Sequence, residues 1–176
     1  MTESARNHAM EPRQLIIMRH ATANPGGGRD HDRTLTPAGR DEARQVGLSI
    51  RSQGPIPERV LCSSSVRCRE TWQALSAGLG SVVAVDFETD LYNASPESLL
   101  HCLAGVADEQ SVLILAHNPG LSVLALELAR GDEQSVTRLR AGFAPASIAC
   151  FEIEGPWSLL SSASARLIRF ERTPRS

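Results

Sequence analysis

Residues 112–120 read VLILAHNPG, and this stretch decides the fold. Its first five residues form the most apolar of the predicted strands, which is typical of a strand buried on both faces of a parallel sheet. Asn118-Pro119-Gly120 then opens a helix, because a polar residue followed by proline favours a helix start. Apolar residues continue at helical spacing, namely Leu121, Leu124, Ala125 and Leu128. The stretch therefore predicts a strand, a histidine at its end, and a helix.

The same pattern of an apolar strand followed by a helix occurs three times upstream. The strands are predicted at residues 15–18, 59–62 and 82–87. The helices are predicted to begin near Thr36, Ser65 and Ser95, each a hydroxyl residue that suits a helix N-cap. A long glycine-containing loop, residues 21–34, separates the first strand from its helix. Alternating strands and helices predict an α/β fold: a three-layer sandwich with a mostly parallel central sheet flanked by helices.

The C-terminal third of the chain is less regular. Residues 131–145 show no clear period, and we interpret them as a lid or a surface loop. Residues 147–153 and 166–170 predict two further strands, which we expect at a sheet edge. With no repeat and no low-complexity segment, we expect one domain over residues 14–171, after a flexible tail at residues 1–13.

Composition excludes several classes of function. The 176 residues contain no lysine, so all 18 basic residues are arginine. Schiff-base, pyridoxal-phosphate and P-loop chemistry each need a lysine amine and are excluded. The net charge of -2 and the absence of a basic block argue against a nucleic-acid or membrane partner. Four cysteines without a CxxC pair, and an N-terminal segment without an apolar h-region, favour a reduced, cytoplasmic protein.

A metal site is the first alternative to weigh. Residues 29–33 read RDHDR, so Asp30, His31 and Asp32 are conceivable ligands together with His20. Their spacing matches none of the usual ligand sets. We therefore interpret this run as a solvated loop and expect neither a metal nor another cofactor.

Histidines and arginines follow several of the predicted strands. Arg19 and His20 come after the first strand, Arg67 lies in the first turn of the helix after the second, and His117 follows the most apolar one. Because ligands of open α/β sheets bind beyond the carboxyl ends of the strands, we expect these four side chains to converge. Guanidinium groups bind phosphate oxygens bidentately, and the helix that opens at Asn118 adds backbone N–H groups. The pattern predicts a pocket for a phosphoryl group, which a phosphate or sulfate ion would also occupy.

Four blocks of sequence resemble motifs of the histidine phosphatase superfamily. They are LIIMRHATA, LTPAGRDEA, CSSSVRCRET and LILAHNPG, and they follow the family's order over about residues 14–130. The resemblance implies a phosphoglycerate mutase-like fold. The short chain and the wording of the blocks resemble the phosphohistidine phosphatases of the SixA type.

The resemblance also implies a role for each motif residue. His20 would be the nucleophile that becomes phosphorylated, and Arg19 and Arg67 would bind the phosphoryl oxygens. His117 would hydrogen-bond the same group and stabilise its transition state. Arg33 matches a basic position that reaches the phosphate in the phosphohistidine branch.

One departure from the family bears on the substrate. Related phosphomonoesterases use a glutamate after the third strand as a general acid, and here that position corresponds to Asn93, whose amide cannot donate the proton. Asp90 and Glu97 are nearby substitutes, although Glu97 is better explained as a charge in the first turn of a capped helix. Imidazole, with a pKa of about 6.5, leaves more readily than an alkoxide, whose conjugate acid resembles water at about 15.7.

These observations favour a phosphatase that acts on phosphohistidine of a protein partner such as a histidine phosphotransfer domain. The alternative is a phosphomonoesterase of the same superfamily acting on a small molecule, with Asp90 or Glu97 as the acid. A non-catalytic module that binds phosphoproteins is a third hypothesis. It would need the arginines but not both histidines.

Overall fold

The described part of the chain, residues 11–172 of a computed structural model, contains one seven-stranded sheet with helices on both faces. The strands are β1 (Arg13–Arg19), β2 (Arg59–Ser63), β3 (Ala84–Glu88), β4 (Ser111–Ala116), β5 (Ala129–Arg130), β6 (Ile148–Ile153) and β7 (Ala165–Glu171). The helices are α1 (Pro37–Gln53), α2 (Val66–Leu79), α3 (Pro96–Ala104), α4 (Gly120–Leu128) and α5 (Glu133–Arg140). The predicted three-layer α/β architecture is confirmed. Of the predicted tail, residues 1–10 lie outside the described region, and Arg13 already belongs to β1.

The sheet has the strand order β3-β2-β4-β1-β6-β7-β5. The pairs β3-β2, β2-β4 and β4-β1 are parallel, whereas β6 runs antiparallel to both β1 and β7. The expected edge position of the last two long strands is therefore wrong. β6 pairs directly with β1. In this inner position its apolar residues are buried, Phe151 in the core on one face of the sheet and Ile148 and Cys150 in the core on the other.

Each face of the sheet carries its own core. Leu15 and Ile17 of β1 point into the core beneath α3, α4 and α5, and the alternate residues Ile16 and Met18 point into the core beneath α1 and α2. This alternation is what a strand buried on both faces requires. It explains why the predicted strands read as continuous apolar runs.

Hydroxyl side chains begin three of the helices as predicted. Thr36 accepts a hydrogen bond from the backbone N–H of Gly39, Ser65 from that of Cys68, and Ser95 from that of Ser98. α4 begins at Gly120, two residues after the predicted opening at Asn118. Within residues 11–172, no helix combines the length and the apolar character needed to cross a bilayer.

The segment 131–145 contains α5, so its interpretation as a lid or loop is wrong. Asp132 caps this helix by accepting from the backbone N–H of Ser135 at 2.8 Å. Leu139 is its one buried residue, which explains why no apolar period was visible in the sequence. The short strand β5 was missed for a similar reason, since its two residues carry no pattern.

Helices α1 and α2 approach each other closely at two glycines. A Cβ on Gly47 would lie 2.1 Å from the carbonyl oxygen of Leu75, and one on Gly78 would lie 2.2 Å from that of Arg44. Both obstacles are backbone atoms, so a side chain at either position forces the helices apart. This contact holds α2, and with it Arg67, against α1.

We expect Gly47→Ala to lower the free energy of unfolding by about 1–3 kcal/mol, because overpacking outweighs the better helix propensity of alanine. Urea unfolding followed by circular dichroism measures the loss. Gly27→Ala is the matched control, since a Cβ there meets nothing within 4 Å. Equal stability of the two variants would contradict the close approach.

Candidate active site

The two histidines and Arg67 meet at the carboxyl ends of three adjacent strands. His20 follows β1, His117 follows β4, and Arg67 lies in the first turn of α2 after β2. The imidazole centroids of His20 and His117 are 5.2 Å apart, and Arg67 Nε lies 3.3 Å from His20 Nε2. The convergence expected at this edge of a parallel sheet is what the structure contains.

His20 is held in one tautomer. Its Nδ1 lies 2.8 Å from the carbonyl oxygen of Ala21, which can only accept, so Nδ1 carries the hydrogen. Nε2 is then unprotonated and accepts from Arg67 Nε. Only 9% of the residue is exposed, and this burial lowers the pKa of His20 to about 4, with further lowering by the positive charges of Arg67, Arg19 and Arg33. An unprotonated Nε2 is a nucleophile.

We expect the His20 ring to remain neutral when the solution is acidified from pH 7 to pH 5 and to become protonated with a midpoint near pH 4. The sign follows because burial and neighbouring cations both disfavour the charged ring. Titration of the ring by heteronuclear NMR measures the midpoint. A midpoint near 6.5, the value of a free histidine, would contradict the buried, cation-lined geometry.

His117 is buried more deeply, with 3% of its surface exposed. Its Nε2 lies 2.8 Å from Ser63 Oγ, whereas its Nδ1 is buried and has no hydrogen-bond partner within residues 11–172. Burial, followed by the nearby His20 and Arg67, lowers the pKa of His117 to about 3. Both histidines of the site are therefore neutral near pH 7.

Arg67 is 4% exposed and bound to the loop that the sequence analysis interpreted as solvated. Its Nη1 donates to the backbone oxygen of Asp30 at 2.5 Å, and its Nη2 donates to the Asp30 carboxylate at 2.9 Å. Asp30 is exposed, as the solvated-loop interpretation predicts, and its carboxylate is also bound to Arg67. Arg33 also donates to the Asp30 carboxylate, at 3.1 Å, and its Nε donates to the backbone oxygen of Asn24. Arg33 accordingly joins the site through Asp30.

Tyr92 is a residue of the site that the sequence analysis missed. Its hydroxyl donates to Asp30 Oδ2 at 2.7 Å, its ring packs edge-on against His117 at 5.3 Å, and it lies 5.8 Å from the Arg67 guanidinium. The next residue, Asn93, is exposed with a positive φ of 53°. Tyr92, and not Asn93, is therefore the residue after β3 that contacts His117. The signal available in the sequence was that Tyr92 is its single tyrosine.

The Tyr92 hydroxyl also affects the charge of Asp30. Its hydrogen bond, followed by that of Arg33 and then the hydrogen bond and charge of Arg67, holds the pKa of the Asp30 carboxyl well below its usual range. Asp30 is consequently ionised near neutral pH and is an acceptor, not a proton donor.

Arg19 and Asn118 donate hydrogen bonds to the same backbone carbonyl oxygen. The Nη1 of Arg19 donates to the carbonyl oxygen of Phe143 at 3.0 Å, and the side-chain nitrogen of Asn118 donates to the same oxygen at 2.9 Å. Arg19 Nε and Asn118 Oδ1 are buried without a partner in the described chain. Burial and the charge of Arg67 lower the pKa of Arg19. The turn after α5 thus sets the position of two predicted phosphate-binding residues.

The two candidate acids lie elsewhere. Asp90 and Glu97 line a separate depression together with Ser98, His101 and Cys102. Glu97 stands in the first turn of α3 behind the Ser95 cap, as the capped-helix interpretation predicts. The structure does not bring either carboxylate into contact with the histidine pair. In the region 11–172, no three His, Cys, Asp or Glu side chains are grouped so that they could hold a metal ion.

Comparison with protein families gives one match by a family model. Residues 15–95 match the model of the histidine phosphatase superfamily (branch 1). This span contains His20 and Arg67, whereas His117 lies beyond it.

Individual relatives extend the similarity over most of the chain. An uncharacterized protein of Mycobacterium leprae is 33% identical over 161 residues, which cover 87% of this chain and 98% of that protein. Phosphohistidine phosphatase SixA of Escherichia coli is 30% identical over 122 residues, covering 68% of this chain and 76% of SixA. The structure of putative phosphohistidine phosphatase SixA from Nakamurella multipartitia superposes with a TM-score of 0.84 at 31% identity, over 93% of this chain and 98% of that one.

Proposed function

Because the chain belongs to the histidine phosphatase superfamily, we propose that it hydrolyses phosphohistidine of a protein partner, as a SixA-like phosphatase with His20 as nucleophile. One observation carries the proposal: His20 Nε2 is unprotonated and buried beside the guanidinium of Arg67 and the ring of His117. A neutral imidazole next to anion-binding groups is suited to attack a phosphoryl group.

In the first step, His20 Nε2 attacks phosphorus. A P–N bond forms to His20, the P–N bond to the substrate imidazole breaks, and the leaving ring nitrogen takes a proton from solvent. His20 Nδ1 keeps its hydrogen and goes on donating it to the Ala21 carbonyl oxygen, which supports the positive charge that develops on the ring. The substrate histidine leaves without its phosphoryl group, which His20 now carries.

In the second step, water attacks the same phosphorus atom. The P–N bond to His20 breaks, the ring recovers its lone pair on Nε2, and inorganic phosphate leaves with the proton that the water gives up. The balance of both steps is phosphohistidine plus water to histidine plus phosphate. No redox partner or cofactor takes part in this balance.

The phosphoryl oxygens need donors during both steps. Arg67 and Arg19 supply guanidinium N–H groups, and His117 supplies a ring N–H beside His20. Asn118 stands just before α4, and the positive end of the helix dipole there favours an anion. Arg33 donates to the Asp30 carboxylate through Nη1 and to the backbone oxygen of Asn24 through Nε.

The leaving group decides between phosphohistidine and ordinary esters. The one carboxylate bound into the site, Asp30, is ionised, while Asp90 and Glu97 line another depression. An alkoxide leaving group would therefore lack its acid, which is worth about 10²–10⁴-fold in rate. An imidazole leaving group needs less help, because imidazole, with a pKa of about 6.5, leaves more readily than an alkoxide, whose conjugate acid resembles water at about 15.7.

The phosphomonoesterase alternative has one observation in its favour. Tyr92 packs its ring against His117 and binds Asp30 through its hydroxyl, and a phenol can in principle protonate a leaving oxygen. The hydrogen of that hydroxyl is, however, donated to Asp30, and the pKa of Tyr92 is raised, first of all by this bond. Both facts make Tyr92 a weak acid.

Initial rates on three substrates test the proposal. They are a histidine-phosphorylated phosphotransfer domain, free phosphohistidine and an alkyl phosphomonoester, with His20→Ala as the blank. We expect both phosphoramidates to be cleaved at least about 100-fold faster than the ester, and the protein faster than the free amino acid. A faster ester supports the alternative, and a faster free amino acid contradicts the protein partner. Binding of phosphoprotein without turnover supports the binding module.

Asp30 and a phosphoryl group compete for the same N–H groups of Arg67. We expect Asp30→Asn to strengthen inhibition by inorganic phosphate by about fivefold, because it removes a partly exposed charge worth about 1 kcal/mol. The inhibition constant for phosphate measures the effect. Asp32→Asn is the matched control, since Asp32 contacts His31 instead. Weaker inhibition of Asp30→Asn than of the control would show that Asp30 supports the bound anion.

A further inference from the structure

Three O–H and S–H groups surround one ring nitrogen of His117. Its Nε2 lies 2.8 Å from Ser63 Oγ, 3.4 Å from Ser65 Oγ and 3.6 Å from Cys68 Sγ. All three residues are completely buried. The two-step mechanism gives none of them a role, although all belong to the segment that leads from β2 into α2.

The backbone fixes the direction of the hydrogen bonds in this cluster. Ser63 Oγ lies 3.5 Å from the backbone N of Ser65, and Ser65 Oγ lies 3.4 Å from that of Cys68. Backbone N–H groups only donate, so both hydroxyl oxygens act as acceptors towards them. Each hydroxyl hydrogen is then left to find an acceptor of its own. Among residues 11–172 the strongest acceptor near both hydroxyls is Nε2 of His117, since the Cys68 sulfur, which also lies near both, accepts only weakly.

The opposite arrangement would leave a buried hydroxyl hydrogen without a strong acceptor. If Nε2 carried the ring hydrogen, it would donate to Ser63 Oγ, and the Ser63 hydroxyl would be left with the weakly accepting sulfur of Cys68. A poorly paired polar hydrogen in a fully buried position is disfavoured. The ring nitrogen Nδ1, which has no partner in the described chain, would also present a lone pair to phosphoryl oxygens.

We propose that Ser63, assisted by Ser65, is a positioning residue that holds His117 as its Nδ1–H tautomer, so that Nδ1–H donates to the phosphoryl group on His20. The inference deepens the proposed function and rests on it for the identity of the acceptor. The tautomer itself rests only on the buried hydroxyl cluster.

The tautomer can be measured directly. In protein carrying ¹⁵N-labelled histidine, long-range ¹H–¹⁵N correlation spectra separate a protonated ring nitrogen from a bare one, and the His117→Asn spectrum identifies the His117 signals among the five histidines. We expect a protonated Nδ1 and a bare Nε2 near pH 7. A protonated Nε2 in the wild-type protein overturns the proposal, whether or not any variant folds.

Ser63→Thr and Ser63→Val form the matched pair, because threonine and valine have nearly the same shape and differ in the hydroxyl. We expect the threonine variant to keep the tautomer. We expect the valine variant to show a mixture of tautomers and a kcat roughly 10- to 100-fold below that of the threonine variant, with KM within about twofold. Thermal unfolding confirms that both variants are folded.

Three results would separate the possible failures. Equal tautomers and equal kcat in the two variants overturn the role of Ser63. A changed tautomer with unchanged kcat shows that His117 does not donate through Nδ1, which also overturns the proposal. Absence of any phosphatase activity in the wild-type chain refutes the proposed function, while the NMR spectrum still decides the tautomer.

Discussion

His20→Ala reduces turnover of phosphohistidine at least about 1000-fold, which is the largest effect we expect from any single substitution. Alanine provides no lone pair for attack on phosphorus at the position that Nε2 holds beside Arg67. Rapid-quench experiments with ³²P-labelled substrate measure the missing intermediate. Wild-type protein should accumulate an acid-labile, alkali-stable phosphoenzyme, and His20→Ala should accumulate none.

His117→Ala is the control that distinguishes the two histidines. The ring of His117 lies 5.2 Å from that of His20, so a nucleophile assigned to the wrong histidine is the obvious error. If His20 is the nucleophile, His117→Ala still forms the labelled enzyme, only more slowly. A labelled His20→Ala variant together with an unlabelled His117→Ala variant would reverse the assignment.

Substitution of Arg67 should have the second largest effect. Arg67 touches the nucleophile through Nε, and in the proposed mechanism its other N–H groups pass from Asp30 to the phosphoryl oxygens. Its burial makes each contact stronger than in water. We expect Arg67→Ala to lower kcat/KM about 1000-fold and Arg67→Lys about 100-fold. Lysine retains the charge but cannot form the planar, bidentate contact. Steady-state kinetics on phosphohistidine measures both.

Arg69→Ala provides the matched control for Arg67. It removes an arginine from the same helix, α2, whose Nε donates to the backbone oxygen of Ser64 and whose guanidinium stacks on Phe87 at 4.3 Å. We expect its kcat/KM to stay within about threefold of wild type, since exposed arginines of this kind contribute little. A comparable loss in both variants would mean that general positive charge matters more than the placement of Arg67.

The sequence was sufficient for the residues that follow directly after buried strands. His20 and His117 come after apolar runs whose ends must meet at one edge of a parallel sheet, so their convergence could be predicted. The caps Thr36, Ser65 and Ser95 were equally visible, because capping is a local interaction.

The rest of the site depends on contacts between distant residues. Tyr92 and Asp30 are 62 positions apart, and Phe143 reaches Arg19 across 124 positions. Neither pair leaves a periodic signal, because a single hydrogen bond constrains one residue at each end. The sequence therefore predicted which residues come together at this edge of the sheet but not which residues hold them in place.

Weak local signals also explain the two errors in residues 131–153, namely the missed helix α5 and the position of β6 in the sheet. α5 buries one leucine, so its amphipathic pattern is too weak to read, and β6 looked like a peripheral strand because it is last but one in the chain. Position along the chain says little about position in a sheet once antiparallel pairing is possible.

The place of β6 beside β1 has a consequence for any shortened form of this protein. A fragment that ends at residue 130 would contain all four motif blocks, His20, Arg67 and His117. It would nevertheless leave β1 as an unpaired, apolar edge and would lose the carbonyl of Phe143 that orients Arg19. During synthesis this site is therefore complete only after residues 131–153 have left the ribosome. That segment contains none of the predicted site residues.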